Sequence, residues 1–390
     1  MGYSFGMSNF FKNYRMLCAV AVLIGTIVGA GTFGLPFVMA QSGWSLGLFY
    51  LILLTGVVIL IHLAYGEIIL RTEQAHCLVG YAEKYLGWRV KIFTTVVAFI
   101  EYYGSLLAYI ILGGEFLRII FGQWLGGSPD AWVFIFFILA AAAVGGGLKF
   151  ISGSELLMSL ALIGTVALLI FKSWPLAAAQ NFAGINWSNW FLPYGVMLFA
   201  LAGSVAVPEM RQVLRGQERK LKAAIFWGTL ISAIVYLGFA WAVVGVSGLA
   251  TSEEAILGLV PHLGNWVVQI GAIFGVLAVF TSFIVIGLNL KNTYRRDYRL
   301  GSGLSFVLTC AVPLLAFWLG IKSFILVIGF VGAVAAGLDG LITVCIYLKA
   351  KKRGDRQPEY SLSHAKFLSG FLILVFSLGL ITALTSFFNK

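Results

Sequence analysis

The sequence predicts an all-α integral membrane protein with eleven transmembrane helices. Three observations carry that prediction. Of 390 residues, 60% are apolar before 46 glycines are counted, and 11% are charged, against roughly 25% charged in an ordinary soluble domain. Too few charges remain to wet a globule of this size. At roughly 20 residues per crossing, the apolar residues suffice for eleven or twelve spans, which leaves little chain for a separate soluble domain. The third observation is that apolar runs alternate along the chain with short basic loops.

Taken in order, the runs lie near residues 16–38, 44–70, 90–121, 131–149, 154–174, 191–214, 221–246, 264–290, 301–320, 322–348 and 367–388. No Asp, Glu, Lys or Arg falls between Arg15 and Glu67, room for two spans with Gln41-Ser42-Gly43 as the turn between them. Residues 255–290 are likewise free of charge. Placing the N-terminus in the cytoplasm puts all but Arg118, Lys172, Lys322 and Lys390 of the 26 basic residues inside, Lys12 and Lys149 among them. By the positive-inside rule this gives an inside N-terminus and, with an odd number of spans, an outside C-terminus. The net charge of +11 is thus a signal of orientation, and no basic surface with interleaved aromatic residues suggests nucleic acid.

Residues 1–15 carry no cleavage site, so the first span is expected to stay as an anchor. Gly6 stands where Met1-Gly2 myristoylation would need Ser or Thr. Cys18, Cys77, Cys310 and Cys345 are too scattered to suggest a metal site or a disulfide. Trp174, Trp187 and Trp190 border an outer loop at 175–190 and suit a membrane-interface belt.

The sharpest local feature is Gly25-Thr26-Ile27-Val28-Gly29-Ala30-Gly31-Thr32-Phe33-Gly34-Leu35-Pro36. Four glycines and a proline weaken a helix at the depth where unpaired backbone groups cost most. Close packing through Gly25 and Gly29 is one explanation. The other is a discontinuous helix whose free amides and carbonyls hold a solute and a cation. The sixth run repeats the pattern: Gly203 precedes Pro208 by five positions, as Gly31 precedes Pro36. The two runs cross the membrane in opposite senses, which suggests two inverted five-helix repeats, 16–174 and 191–348. A cytoplasmic N-terminus at 1–15, the outer loop, a basic linker at 349–366 and a last helix at 367–390 complete the chain.

These two stretches, with Lys220-Leu221-Lys222 to Leu230 and Thr281-Ser282-Phe283, resemble permeases of the amino acid–polyamine–organocation superfamily. The similarity is greatest to the branch of amino acid/auxin permeases and hydroxy/aromatic amino-acid permeases, which includes bacterial tryptophan and tyrosine carriers. It implies a 5+5 inverted-repeat transporter fold with discontinuous helices 1 and 6, in the plasma membrane of a bacterium. It also implies an amino acid as partner, neutral and aromatic or large and apolar, moved by cation symport. In that scheme the substrate meets Thr26, Ile27, Val28, Gly29, Ala30 and Gly31, and the amides of Val28, Gly29, Ala30 and Gly31 suit its carboxylate. Its amine meets carbonyls around Phe199, Ala200, Leu201, Ala202 and Gly203, and Tyr102 and Tyr103 are candidate selectivity side chains.

No cofactor is implied beyond a coupling ion, H+ or Na+. The resemblance places sodium among Gly25, Val28, Ala278, Thr281 and Ser282; equally, Thr281 and Ser282 hydroxyls would bond back to their own helix. A proton would need a carboxylate at depth, where charge is costly, and Glu101 and Asp339 lie deepest by position, whereas Glu67 and Glu209 are expected near water or an Arg. Glu115 is expected to pair with Arg118, and His62 to be a hydrogen-bonded packing residue rather than a proton relay. A sensor or exchanger of the same fold is the alternative and a channel a distant one, while no spacing of Ser, His, Asp, Glu or Cys suggests an enzyme.

Overall fold

The structure, a computed structural model, describes residues 14–146, 154–296 and 298–388. Lys12, Lys149, Lys390 and the Met1-Gly2 start lie outside them. Among the described residues, eight helices are long and apolar enough to cross a membrane, and α1 (Arg15–Ile27) with α2 (Gly31–Ser42), bent by 60° at their break, are together long enough for a ninth. The chain continues through α3 (Trp44–Leu70), a short α4 (Leu78–Leu86), α5 (Trp88–Leu125), α6 (Pro129–Gly146) and α7 (Ser154–Ser173). The second half begins with another interrupted crossing, α8 (Leu192–Leu201) and α9 (Val207–Val213), followed by α10 (Leu221–Ser247), α11 (Asn265–Arg296) and α12 (Ser302–Trp318). α13 (Phe324–Phe330) and α14 (Gly337–Arg353) are joined through a π-helical turn at Val331–Ala336, and α15 (Ala365–Phe388) closes the chain. α7 and α12 occupy the fifth and ninth expected segments; α12, at 17 residues, covers about 26 Å of rise.

The four segments of the interrupted crossings lie against α3, α10, α13 and the π turn, while α5 and α11 share the most extensive helix contact. At the centre α1–α2 crosses α8–α9 at two glycines. A Cβ on Gly31 would stand 2.6 Å from the Ala200 Cα, and one on Gly203 would stand 2.6 Å from Ile27 Cγ1. Close packing is thus the role of Gly31 and Gly203, whereas a Cβ on Gly29, where such packing was expected, would find only Ser282 Oγ at 3.9 Å. The crossing needs residues without side chains, and the breaks need residues that leave the helix cheaply.

Two regions expected to be loops are built into the bundle. The 71–91 segment contains α4, whose Tyr81, Ala82 and Tyr85 are buried because only one face of this amphipathic turn is polar. The linker after α14 docks on α3. Tyr360 OH donates to the Leu63 carbonyl at 2.7 Å and Arg356 to that of Leu70 at 3.0 Å. Glu67, expected near water or an Arg, has the Arg but no water: it is fully buried. Its carboxylate accepts from Arg71 Nε at 2.8 Å, the Leu362 N–H at 2.7 Å, Ser361 OH at 3.0 Å and Tyr347 OH at 3.3 Å. Where the linker leaves α14, Lys84 beside Asp355 holds that carboxyl below the usual carboxylate range.

The opposite end is closed by the two long loops. Gly43, at φ +91°, lies against Gly184 and Ile185, and the Asn186 N–H donates to the Ser42 carbonyl. Glu253 accepts from Ser323 OH and the Ile325 N–H at the start of α13. Trp174, Trp187 and Trp190 are exposed, as a belt at the interface requires. Removing the Glu67 carboxylate leaves Arg71 and three other donors without their acceptor, so Glu67→Ala should lower unfolding stability by about 3 kcal/mol. Thermal unfolding of the purified protein measures it, and Glu67→Gln should fall between the two.

Candidate functional site

The break between α1 and α2 is written in its backbone hydrogen bonds. Val28 leaves helical geometry at φ −78°, ψ 84°. Its N–H still donates to the Ile24 carbonyl at 2.7 Å, while the Gly29 N–H folds back on Ile27 at 2.9 Å and the Thr32 N–H reaches only Gly29 at 3.1 Å. These tight turns take from the Gly25 and Val28 carbonyls the N–H groups a continuous helix would give them. Among the described residues, the Ala30 N–H has no backbone acceptor. Of the amides expected to face a carboxylate, Val28 and Gly29 are thus committed internally and Ala30 is free.

The second break follows the same logic. Ala202 is extended at ψ 122°, its N–H donating to the Phe199 carbonyl at 3.2 Å, and the Ala206 N–H donates to Gly203 at 3.0 Å. Among the described residues, no backbone group donates to the Ala202 carbonyl. Two carbonyls expected to be open are occupied, Phe199 by that N–H and Ala200 by Tyr236. The Tyr236 hydroxyl, fully buried on α10, lies 2.8 Å from the Ala200 carbonyl and 2.5 Å from that of Ile27. One side chain therefore bridges both breaks. Nothing singled it out in the sequence, although a tyrosine inside the apolar run Ile234-Val235-Tyr236-Leu237 needs a hydroxyl partner when buried.

Thr26 and Val205 are exposed, the latter by 66%, whereas Phe33, Leu35, Val196 and Leu198 are buried. Exposure beside the breaks thus lies toward the end that carries Arg15, α4 and α9, and burial toward the other. A larger depression of about 280 Å³, bordered by Arg118, Gln123 and Gln269, lies at that far end, away from the breaks.

The remaining candidates divide. Tyr103 bonds Tyr294 OH at 2.6 Å and the Leu308 carbonyl at 3.1 Å, on helices other than those of the breaks. Phe33 sits edge-on to Phe116 and Phe239 at 4.7 and 5.9 Å and so supplies the aromatic packing beside α2. Ser282 on α11 is beside the first break, its Oγ 3.9 Å from where a Gly29 Cβ would stand. Thr281 instead donates back to the Leu277 and Ala278 carbonyls at 3.1 Å each. Glu115 pairs with Arg118, and His62 is buried against the Thr229 hydroxyl at 3.3 Å. Arg211 turns from Glu209 to the Ile69 carbonyl. Glu101, Asp339 and Tyr65 line one small cavity that also touches Ala202 and Ser204.

Two interrupted helices crossing at a shared centre define a secondary-transporter fold. The chain superposes on MhsT in complex with L-phenylalanine with a TM-score of 0.69 and 16% identity, over 95% of this chain and 98% of that one. Against the inward-facing conformation of Mhp1 the TM-score is 0.66, again at 16% identity, over 95% and 88%. The chain belongs to the Tryptophan/tyrosine permease family, which it matches over residues 12–385. Its relatives include glutamine transporter 2 of Aliivibrio fischeri, 23% identical over 90% of this chain and 93% of that protein. Tyrosine-specific transport system 2 of Haemophilus influenzae is 25% identical over 94% of each. The protein is thus a membrane permease of amino-acid transporter ancestry, not an enzyme.

Loss of the bridging hydroxyl in Tyr236→Phe should destabilise the protein by about 1–3 kcal/mol, the cost of leaving the buried Ala200 carbonyl without a donor, as read by thermal unfolding; the Ile27 carbonyl keeps the Gly29 N–H. Gly31→Ala should be at least as damaging through overpacking, about 1–3 kcal/mol. Because the added methyl meets the Ala200 Cα itself, adding Ala200→Gly should not restore stability.

Proposed function

We propose that this protein imports a neutral amino acid, aromatic or large and apolar, by cation symport with alternating access. The observation that carries the proposal is the pairing of a free N–H at Ala30 with a free carbonyl at Ala202 where the two interrupted helices cross. An N–H at a helix start attracts a carboxylate, and a bare carbonyl accepts from an ammonium. A zwitterion is held this way without any charged side chain. The relatives named for tyrosine and glutamine, and the L-phenylalanine in complex with MhsT, support an amino acid as the cargo.

In this proposal the repeats are 16–174 and 191–348, and the basic end faces the cytoplasm of a bacterium across its inner membrane. The N-terminus is then inside, the C-terminus outside, and exposure of Thr26 and Val205 marks an inward-facing form. A proton is the favoured coupling ion, because Glu101 and Asp339 share a cavity with the second break. A membrane potential contributes about 2.3 kcal/mol per charge per 100 mV to such a cycle. Sodium is the alternative, favoured by the released Gly25 and Val28 carbonyls beside Ser282.

Purified protein in liposomes should accumulate its amino acid when an inward pH gradient is imposed. If neither a pH nor a sodium gradient drives accumulation of any of the twenty amino acids, the protein is not a symporter; counterflow without accumulation would mark an exchanger. A substrate at 100 times its dissociation constant should add about 2.7 kcal/mol of stability, which identifies the cargo by thermal shift. Thr281→Ala with Ser282→Ala should leave proton-driven uptake in place and abolish any sodium dependence.

A further inference from the structure

Glu101 on α5 and Asp339 on α14 are far apart in sequence, yet both line one cavity and lie close enough for their carboxyl groups to interact. Two carboxylates cannot hydrogen-bond unless one of them carries a proton. Asp339 Oδ1 is also buried and meets no N–H or O–H donor. The placement is not incidental to a regular helix. Asp339 sits in the first turn after the π-helical stretch Val331–Ala336, and such bulges recur at functional sites. Gly104, one turn beyond Glu101, is where that stretch presses on α5: a Cβ there would be 2.2 Å from Val331 Cγ2.

The pair faces a cavity of about 50 Å³, enough for a water or two. Other titratable groups around it are His62 and Tyr65 from α3 and Tyr102 and Tyr109 from α5. No Lys or Arg lines the cavity among the described residues, so nothing fixed neutralises a carboxylate there. On its far wall are Ala202 and Ser204, where the proposed ammonium-binding carbonyl lies.

We propose that Glu101 and Asp339 form one coupling site that holds a single shared proton and reports its occupancy to the second break through this cavity. The proposal rests on the symport reading above and specifies its ion. A proton entering from water converts the dianionic pair to a hydrogen-bonded monoanion, and its release to the cytoplasm regenerates the dianion. No covalent bond to carbon changes. Like charges in contact at low dielectric hold one proton strongly, and the single negative charge left on the protonated pair is balanced when a cationic amine occupies the neighbouring cavity, so the neutral state at this depth holds proton and substrate together. Loss of the proton is therefore coupled to whether the second break holds substrate.

The test combines infrared spectroscopy, transport and binding on the full chain in lipid. Wild-type protein at neutral pH should show the carbonyl band of a protonated carboxyl, exchangeable in D2O. Glu101→Gln and Asp339→Asn each supply an amide donor in place of the shared proton, so either one should remove the band. Each should also cut pH-gradient-driven accumulation by more than tenfold, and the double variant should be no worse than either single, as one site requires. Thermal unfolding confirms that these near-isosteric variants fold. Retention of the band, or of full proton-driven accumulation, in either single variant overturns the proposal. Losses that multiply in the double variant mean two independent sites and also overturn it, as does wild-type accumulation driven by sodium alone. Thermal shift of the wild type against amino acids is the separate measure of the symport reading: if none binds, that reading fails whatever the infrared band shows.

Discussion

A hydroxyl group has one proton to give, and Tyr236 sets its hydroxyl between the carbonyls of Ile27 and Ala200. Each carbonyl loses its regular helical donor at a break in a different helix, Ile27 keeping only the folded-back Gly29 N–H, and at this depth no bulk water replaces the lost bonds. The two interruptions are affordable together because one side chain from α10 answers both. Gly31 against Ala200 and Gly203 against Ile27 then bring the carbonyls close enough to share it. With those demands met, the Ala30 N–H and the Ala202 carbonyl are left over, and they are the groups a zwitterion needs.

The same economy explains why the chemistry of the centre is so sparse in charge. A buried ion pair recovers its desolvation cost only with excellent geometry, and where the protein uses one, at Glu67, it surrounds the carboxylate with donors from four residues. Glu101 and Asp339 have no such entourage. The contrast within one molecule separates a carboxylate enclosed by donors from a pair that faces a cavity.

Much of this was legible in the sequence because its cause is local. Glycine and proline at matched spacing weaken a helix wherever they stand, so both breaks could be placed to within a residue or two. Charge-free runs and basic loops are likewise local, and gave the order of the crossings. The missing parts depend on which residues meet across the fold. Tyr236 is unremarkable until its hydroxyl is seen to face two released carbonyls, and Tyr103 looked equivalent to its neighbours until Tyr294 and Leu308 claimed it. Glu101 and Asp339 stood out singly by depth, but only packing of α5 against the π turn makes them a pair. The docking of the linker was hidden for a related reason: composition marks it only as basic, while its anchors, Arg356, Tyr360 and the Leu362 N–H, are visible only where they meet α3.

That linker has a practical meaning for anyone handling the molecule. Its central residues are threaded under α3, with Tyr360 OH lying where a Cβ on Gly66 would be, only 2.3 Å away. A protease site, epitope or fluorescent label placed at Tyr360 or Leu362, both buried, would enter a filled space rather than decorate a tether. Loops that read as spacers by composition can thus be interior structure, and a topology reporter inserted there would report the damage it caused.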